Sequence, residues 1–345
     1  MKTTCAVLFG GISYEHEISI VSAIALRDVL DMNIVYIFCD KNREFFLIPT
    51  KEIKSKLFSS GDYRKYPKLT LKNAGFFQKS LMKEKKVGFD FLLNVIHGGD
   101  GEDGVLASML SFYGVDFIGP RTDASVLSFN KLYTKLYAQS MGVEVVDYEV
   151  LQKGAYKISL AYPVIIKPLR LGSSIGVSIV RNESELEYAL DVAYEFDHEV
   201  LVEPFIEGVK EYNVAGAKAD AFMFSMVEEP QKEEFLDFDK KYLDFSRTSS
   251  VQAADIDGFL EENLKHTFQK VYGTLFEGAL IRCDFFVVDG KVLLNEINPI
   301  PGSMANYLFE DFTAVIGKVA AHLPRVKPIP ITYQYIHSIQ KAKGK

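Results

Sequence analysis

The stretch Leu293-Leu294-Asn295-Glu296-Ile297-Asn298-Pro299-Ile300-Pro301-Gly302 decides the fold, because it is an apolar strand interrupted by oxygen-bearing side chains. A second apolar strand containing Arg282-Cys283-Asp284 precedes it, with the turn residues Asp289-Gly290 between the two. The two segments therefore predict an antiparallel hairpin. Its Asp, Glu and Asn oxygens are the hard donors that Mg²⁺ prefers in proteins, and a Mg²⁺ ion held by them can also bind phosphate.

The length of the turn decides which side chains share a face of this hairpin. A two-residue Asp289-Gly290 turn would pair Asp284 with Asn295, so that Asp284 would point away from Glu296. A three-residue loop that starts at Val288 puts four polar residues on one face: Arg282, Asp284, Glu296 and Asn298. A metal site therefore predicts the longer loop. The alternative is an ordinary hairpin with solvated polar positions, which leaves the following Asn-Pro-Ile-Pro-Gly unexplained.

A glycine- and serine-rich loop, Gly172-Ser173-Ser174-Ile175-Gly176, lies between two predicted strands. The backbone N–H groups of such a loop can hold phosphates while an adjacent lysine neutralises them. Lys167 ends the apolar run 164–166, and a lysine at such a place needs an anionic partner. The loop is not a Walker motif, because Gly-Lys-Ser/Thr is absent. A phosphate-binding loop is therefore favoured over a polar hairpin turn.

Two further glycine-rich loops follow apolar strands nearer the amino terminus. The first, Gly10–Ser19, lacks the Gly-x-Gly-x-x-Gly pattern of dinucleotide-binding turns and carries Glu15 and Glu17 where phosphates would lie. Each glutamate is explained equally by a helix dipole or by a substrate ammonium. The second, His97–Gly104, contains four glycines, and for it a tight turn and a binding loop remain equal alternatives.

The order of apolar and polar segments predicts an α/β protein of three units. Residues 1–120 alternate strand and helix and predict an open, mainly parallel sheet, with the polar stretch 51–86 as irregular surface. Residues 121–208 predict a smaller α+β unit. Residues 209–345 predict a second α+β unit that carries the hairpin and a mobile polar loop at about 228–252.

Composition and charge exclude several classes of protein. The chain has 345 residues, 48% of them hydrophobic, and a net charge of −7, so neither a disordered chain nor a general nucleic-acid binder is expected. Its apolar runs are far shorter than a membrane span requires, and its first residues lack the pattern of a signal peptide. The three cysteines are far apart and have no metal-ligand spacing, which favours a reducing cytoplasm.

Together these segments resemble the ATP-grasp superfamily, and within it the D-alanine–D-alanine ligase family. The resemblance covers nearly the whole chain and rests on five motifs in the family's order: Gly10–Ser19, His97–Gly104, Lys167–Val177, Arg282–Asp284 and Asn295–Gly302. It implies an ATP-grasp architecture in which two α+β units clasp ATP. It also implies ligation of two D-alanines with ATP and Mg²⁺ for peptidoglycan synthesis, by an enzyme that is commonly a homodimer.

The resemblance also implies roles for individual residues on the ATP side of the site. Lysines bind the phosphates, Glu203 faces the adenine amino edge, and Glu211 binds the ribose hydroxyls. Eight residues are implied to contact ATP: Lys131, Lys167, Ser173, Ser174, Glu203, Ile206, Glu211 and Lys241. Two Mg²⁺ ions, for which Mn²⁺ can substitute, are implied to bind Asp284, Glu296 and Asn298.

On the amino-acid side, the resemblance places the ammonium of the first D-alanine on Glu17. The implied substrate contacts are Glu17, His97, Lys241, Tyr307 and Leu308. The implied catalytic group consists of Glu17, Ser173, Tyr242, Arg282 and the N–H of Gly302. In that group Tyr242 bonds toward Glu17 and Ser173, while Arg282 and Gly302 stabilise the oxyanion.

The sequence leaves two alternative functions to consider, and at one position it departs from the family's pattern. Another ATP-grasp carboxylate–amine ligase, such as a D-alanine–D-lactate ligase, would share every ATP and metal residue, but depsipeptide-forming relatives carry phenylalanine at the position of Tyr242. A nucleotide-binding regulator without catalysis would tolerate loss of the metal ligands, and all three are present here. The departure is Tyr307, where relatives have a serine that binds the second D-alanine. A tyrosine hydroxyl cannot replace that short donor, which predicts a weak second D-alanine site.

Overall fold

The computed structural model describes residues 2–79, 83–230, 253–325 and 327–343. The first unit is built around one large sheet. Its elements are β1 (Thr4–Gly10), α1 (His16–Val29), β2 (Asn33–Cys39), β3 (Phe45–Ile48), α2 (Ser55–Ser59), β4 (Lys68–Lys72), β5 (Gly75–Lys79), β6 (Glu84–Lys86), β7 (Phe91–Asn94), α3 (Gly99–Glu102), α4 (Val105–Phe112) and β8 (Phe117–Ile118). The strand order is β6-β5-β4-β3-β2-β1-β7-β8.

Half of this sheet differs from the sequence prediction. Strands β2, β1, β7 and β8 pair in parallel as expected, but β3 to β6 extend the sheet with antiparallel pairs. The prediction of an irregular stretch at residues 51–86 is therefore wrong for their second half, although the run Lys83–Lys86 is exposed as expected. Leu69, Leu71 and Phe76 are buried in the sheet's core, and Lys68 and Lys72 at the two ends of β4 conceal the alternation of that strand when the segment is judged by its overall polarity.

Two helices connect the first unit to the rest of the chain. They are α5 (Thr122–Phe129) and α6 (Lys131–Ser140), and the short strand β9 (Glu144–Val145) follows them. The sequence predicts one continuous helix here, but the chain is interrupted at Asn130. Its side-chain oxygen accepts hydrogen bonds from the N–H groups of Leu132 and Tyr133 at 3.0 and 3.2 Å, so it caps α6. The new helix therefore begins at Lys131.

The central unit is an antiparallel four-stranded sheet with one helix. It comprises β10 (Glu149–Gln152), β11 (Val164–Pro168), β12 (Ser178–Val180), α7 (Glu183–Tyr194) and β13 (Glu199–Pro204), in the strand order β10-β13-β11-β12. The Gly172–Gly176 loop connects β11 to β12, which pair antiparallel. The loop therefore projects from the edge of this sheet.

The last unit contains the hairpin that the sequence predicts. Its elements are β14 (Lys210–Lys218), β15 (Phe222–Phe224), α8 (Gly258–Tyr272), β16 (Leu280–Val288), β17 (Lys291–Asn298), the 3₁₀ segment Gly302–Leu308, α9 (Phe312–Ala321) and α10 (Gln334–Ala342). Its sheet has the order β15-β14-β16-β17-β9, with β9 contributed from the segment after α6. Among the residues that the structure describes, no helix is long and apolar enough to cross a membrane.

Two hydrophobic cores mix segments that are distant in the sequence. Ala124 of α5 and Ala138 of α6 pack in the core of the last sheet, although the sequence groups them with the central unit. Phe312 and Ile316 of α9, with Met304, pack in the core of the first sheet. The 3₁₀ segment between β17 and α9 is therefore held between the first and last units, and residues 302–308 lie against α1.

Candidate active site

The β16–β17 hairpin brings the four predicted polar residues to one face, but by a different route from the predicted one. The turn has two residues, because Val288 pairs with Lys291. The pairing then shifts by one residue at a β-bulge, so that Phe285 pairs with Leu294 while Asp284 pairs with Glu296. The predicted three-residue loop is therefore wrong, and the bulge at Asn295 restores the shared face.

A network of hydrogen bonds joins Arg282, Asp284 and Asn298 on this face. Arg282 donates from Nε and Nη2 to the two oxygens of Asp284 at 2.7 and 2.9 Å. Asn298 Nδ2 donates to Asp284 Oδ2 at 3.0 Å, which leaves the amide oxygen of Asn298 as an available acceptor. Burial and the nearby charge of Glu296 raise the pKa of Asp284, although Arg282 opposes this.

These residues fit a divalent cation by the chemistry of their donors. Asp284 and Glu296 place two carboxylates opposite each other on paired strands, and their mutual repulsion is what a cation would relieve. Within the described ranges, no group of three His, Cys, Asp or Glu side chains is arranged to hold a metal ion. The protein therefore supplies two carboxylates and an amide oxygen, which leaves coordination positions for phosphate oxygens.

The Gly172–Gly176 loop has a backbone that is favourable mainly for glycine. Ser173 and Ser174 have φ values of 54° and 58°, and Gly176 has a φ of 69°. Lys131, the first residue of α6, reaches the base of this loop and donates from Nζ to the carbonyl of Leu171. Both predicted serines and one predicted lysine therefore lie together.

Beside the loop, Glu203 forms ion pairs with two lysines. Lys167 Nζ lies 2.6 Å from Glu203 Oε2, and Lys135 Nζ lies 2.5 Å from Oε1. Burial would raise the pKa of Glu203, but the two ammonium groups outweigh it and lower the pKa to about 2. Burial alone would lower the pKa of Lys167, but Glu203 outweighs that and raises it. Glu203 therefore keeps Lys167 positively charged near the end of β11, just before the Gly172–Gly176 loop.

The structure replaces Glu17 with Glu15 as the carboxylate at the loop. Ser173 donates a hydrogen bond to Glu15, and a β-carbon on Gly172 would lie 3.3 Å from the Glu15 oxygens. Glu15 is buried, whereas Glu17 is exposed on α1. Burial raises the pKa of Glu15, while Ser173 and the charge of Lys131 lower it. The grouping of Glu17 with Ser173 is therefore corrected to Glu15, two residues earlier.

His97 is buried next to this carboxylate and connects the first unit to the segment after β17. Its Nδ1 donates to the carbonyl of Ile300 at 2.9 Å, so Nε2 accepts from Ser22 Oγ at 2.9 Å. Burial lowers the pKa of His97 to about 4. Glu102 lies 3.9 Å from Nδ1, and burial together with the charge of Glu15 raises the pKa of Glu102 well above its usual range.

We expect the His97 ring to stay neutral, with its proton on Nδ1, from pH 8 down to about pH 5. The reason is that its folded pKa is near 4, whereas the usual value is 6.5. Histidine carbon and nitrogen chemical shifts, measured by NMR across this range, will report both the charge and the tautomer. The resonance is assigned by its loss in His97→Gln. A titration of that resonance near pH 6.5 would contradict the buried, neutral ring.

The remaining predicted residues surround the same region. Burial raises the pKa of the Tyr307 phenol, while the nearby charge of Arg282 lowers it. Leu308 is buried, and its carbonyl accepts from the N–H of Met226 at 3.1 Å. Gly302 begins the 3₁₀ segment, after which residues 303–305 all have positive φ. Such a left-handed run of non-glycine residues is strained and is typical of functional sites.

The structure describes the residues predicted to bind the nucleoside, but only residues 228–230 of the predicted mobile loop. Ile206 lies two residues after the end of β13, and Glu211 on β14 is close enough to Lys167 to raise the pKa of Lys167. Lys241 and Tyr242 lie outside the described residues, as does most of the predicted loop at 228–252.

Sequence reasoning missed two charged residues of this site, Glu102 and Lys135, and it considered Glu15 but assigned the substrate ammonium to Glu17. For Lys135 a signal exists, because it is four residues after Lys131 and so lies on the same face of α6. Glu102 lies within the glycine-rich loop whose role remained open. Glu15 and Glu17 have equal claims in the sequence, and only the contact with Ser173 distinguishes them.

Comparison with known proteins places these motifs in a family. Residues 4–120 match the model described as D-ala D-ala ligase N-terminus, and residues 137–319 match D-ala D-ala ligase C-terminus. A D-alanine–D-alanine ligase of Sulfurovum sp. is 61% identical over 342 residues, and one of Nitratiruptor sp. is 59% identical over 339, each alignment covering at least 98% of both chains. The crystal structure of D-alanine–D-alanine ligase from Helicobacter pylori superposes with a TM-score of 0.84 at 47% identity, covering 94% of this chain and all of that one.

Proposed function

The chain belongs to the D-alanine–D-alanine ligase family, and from that membership we propose that it joins two D-alanines at the expense of ATP, for peptidoglycan synthesis. The observation that supports this best is the contact between Ser173 and Glu15. It puts a carboxylate that can receive a substrate ammonium at the edge of a loop that can hold phosphates. The first amino acid and the nucleotide would then meet between the first and central units.

ATP is the phosphoryl donor in this proposal. Lys131 and Lys167 bind its phosphates, and the backbone of Gly172–Gly176 with the hydroxyls of Ser173 and Ser174 covers them. The segment from Glu203 to Glu211 holds the nucleoside, with the backbone near Ile206 against the base. Because the Glu203 carboxylate pairs with two lysines, its main effect is to fix Lys167, and its contact with the adenine amino group stays a prediction.

A divalent cation belongs to this chemistry, and Asp284, Glu296 and Asn298 would hold it. We propose two Mg²⁺ ions at these residues, with Mn²⁺ as a substitute. When bound, the ions neutralise charge on the transferred phosphoryl group. Arg282, which is fixed by Asp284, adds a permanent positive charge on the same face.

The amino acids react without a protein nucleophile. Glu15 binds the ammonium of the first D-alanine. The carboxylate of that D-alanine attacks the γ-phosphate of ATP to give an acyl phosphate and ADP. The amine of the second D-alanine then attacks the acyl carbon, loses a proton, and displaces phosphate. Arg282 and the N–H of Gly302 donate to the oxyanion of the tetrahedral intermediate. Buried His97 orients the segment after β17 through its bond to Ile300, and the loop carrying Lys241 and Tyr242 would exclude water.

The test is phosphate release from ATP with D-alanine, L-alanine or D-lactate supplied in turn, together with Mg²⁺ and K⁺. We expect release to depend on D-alanine and the product to be the dipeptide, identified by mass spectrometry. Release with D-alanine only when D-lactate is also present would favour the depsipeptide alternative, against which Tyr242 argues. Absence of any D-alanine-dependent release would overturn the proposal.

Tyr307→Ser is expected to lower the KM of the second D-alanine by about tenfold while the first site changes little. A serine hydroxyl would supply the short donor to the second carboxylate, and one hydrogen bond to a charged group contributes about 1.5–3 kcal/mol. The change also removes the phenol that Arg282 contacts. Initial rates at varied D-alanine concentration, fitted with two sites, give both constants. An unchanged or raised second KM would contradict the prediction and would show either that Tyr307 already serves this carboxylate or that other residues have rebuilt the pocket.

Two further properties follow from the family and stay proposals. The first is a cytoplasmic location, which suits an enzyme that consumes ATP and has three free, buried cysteines. The second is a homodimer, which sedimentation in solution would test.

A further inference from the structure

Two adjacent residues just before the first helix, Tyr14 and Glu15, are connected to opposite ends of the Gly172–Gly176 loop, Glu15 directly and Tyr14 through Phe196. Glu15 accepts a hydrogen bond from Ser173 at the beginning of the loop. Tyr14 packs edge-on against the ring of Phe196, with ring centroids 5.5 Å apart and planes at 77°. Phe196 belongs to the central unit and follows the end of α7.

Phe196 in turn lies against Gly176, at the far end of the loop. A β-carbon on Gly176 would lie only 2.7 Å from Phe196 Cδ2 and 2.9 Å from Pro168 Cγ. The ring therefore lies directly on the backbone of Gly176, which also has a φ of 69°. The Tyr14 ring therefore packs against the same ring that lies over Gly176.

Tyr14 is poorly explained as a structural residue. It is 64% exposed and belongs to none of the hydrophobic cores of the described residues. An aromatic side chain so exposed contributes little to the free energy of unfolding by burial. Its packed partner, by contrast, touches the segment that is proposed to cover the phosphates of ATP.

We propose that Tyr14 is a positioning residue for the phosphate loop, acting through Phe196 on Gly176. The inference rests on the proposed ligase function. Glu15 contacts one end of the loop through Ser173, and Tyr14 acts on the other end through Phe196. The first unit thereby holds the loop in one conformation, so that the N–H groups of the loop face the phosphates when ATP binds. Because phosphoryl transfer depends on alignment, release of one end weakens ATP binding without removing any group that touches ATP.

The test compares Tyr14→Ala, Phe196→Ala and the conservative Tyr14→Phe. We expect Tyr14→Ala to raise the KM and the directly measured Kd for ATP by about three- to tenfold, the range of one edge-to-face aromatic pair. Tyr14→Phe keeps the ring and should restore wild-type values. The KM for D-alanine and the melting temperature should change little. Tyr188→Ala is the matched control, because Tyr188 is 77% exposed on α7 of the same unit.

The two alanine changes should not add in a double-mutant cycle. If Tyr14 acts through Phe196, the double variant binds ATP about as weakly as Phe196→Ala alone. Fully multiplicative losses, unchanged ATP binding in Tyr14→Ala, or an equal loss in Tyr14→Phe would each overturn the inference. Phe196→Leu replaces Phe196→Ala if the alanine variant does not fold.

Hydrogen exchange separates this inference from the proposed function, because it needs no turnover. Amides of residues 172–176 should exchange faster in Tyr14→Ala than in the wild type, Tyr14→Phe or Tyr188→Ala. Faster exchange in an enzyme that releases no phosphate would leave the positioning role standing and reject the ligase. If the amides exchange equally fast in Tyr14→Ala and in the wild type, and the enzyme is active, the ligase proposal stands and the positioning role is rejected.

Discussion

Glu296→Gln is expected to lower kcat by at least about a hundredfold while the protein keeps its fold. The change keeps the size of the side chain and removes one of the two carboxylates that face each other across β16 and β17. Loss of one group that neutralises transition-state charge costs about 3–4 kcal/mol in comparable sites. The charge of Glu296 also acts on Lys131, so its removal affects the phosphate side as well.

The measurement is phosphate release at saturating ATP and D-alanine over a range of Mg²⁺ concentrations. We expect the variant to need more Mg²⁺ and to remain slow at saturation, with an unchanged circular dichroism spectrum. Glu310→Gln is the matched control, because Glu310 is exposed and lies beyond the 3₁₀ segment. Near-native activity of Glu296→Gln at low Mg²⁺ would remove Glu296 from the metal site.

Glu203→Gln is expected to destabilise the protein by about 3 kcal/mol at pH 7. The reason is linkage: the pKa of Glu203 falls from an ordinary value of 4.5 to about 2 in the fold, and each unit corresponds to about 1.4 kcal/mol. The variant leaves Lys167 and Lys135 buried without a counter-charge. Because Lys167 is then no longer fixed as a cation, ATP affinity should fall with stability.

The direction of the pKa shift predicts how the stability difference between the wild type and Glu203→Gln depends on pH. A carboxyl with a depressed folded pKa stabilises the protein fully above pH 4.5, and that contribution disappears as the pH falls through 2. The difference between wild type and variant in urea unfolding should therefore be constant from pH 7 to 5 and shrink below pH 4.5. Glu207→Gln, at an exposed position four residues later, is the control. A difference that stays the same from pH 7 to 3 would contradict the ion-paired carboxylate.

Much of the site could be predicted from local sequence, because its residues lie in short motifs. The residues between Asn295 and Gly302, the loop after Lys167 and the glycine-rich turns are contiguous, and their chemistry is visible in the residue types alone. The parallel core of the first sheet was equally predictable from its apolar runs. The lysines of β4 concealed its period-two alternation, and β5 and β6 show no such alternation, so these three strands were missed.

The sequence by itself determined the family, the order of the predicted units and the residue types that are proposed to bind ATP and a metal ion. Only the tertiary structure decided between Glu15 and Glu17, because both lie at one helix start and a contact with Ser173, 158 residues away, distinguishes them. It also decided how Asp284 comes to face Glu296, since a bulge at Asn295 depends on packing and hydrogen bonding that no local pattern encodes. The pairing of Lys135 with Glu203 was hidden for the same physical reason: a buried charge is stabilised by partners that the fold, and not the neighbouring sequence, brings within reach.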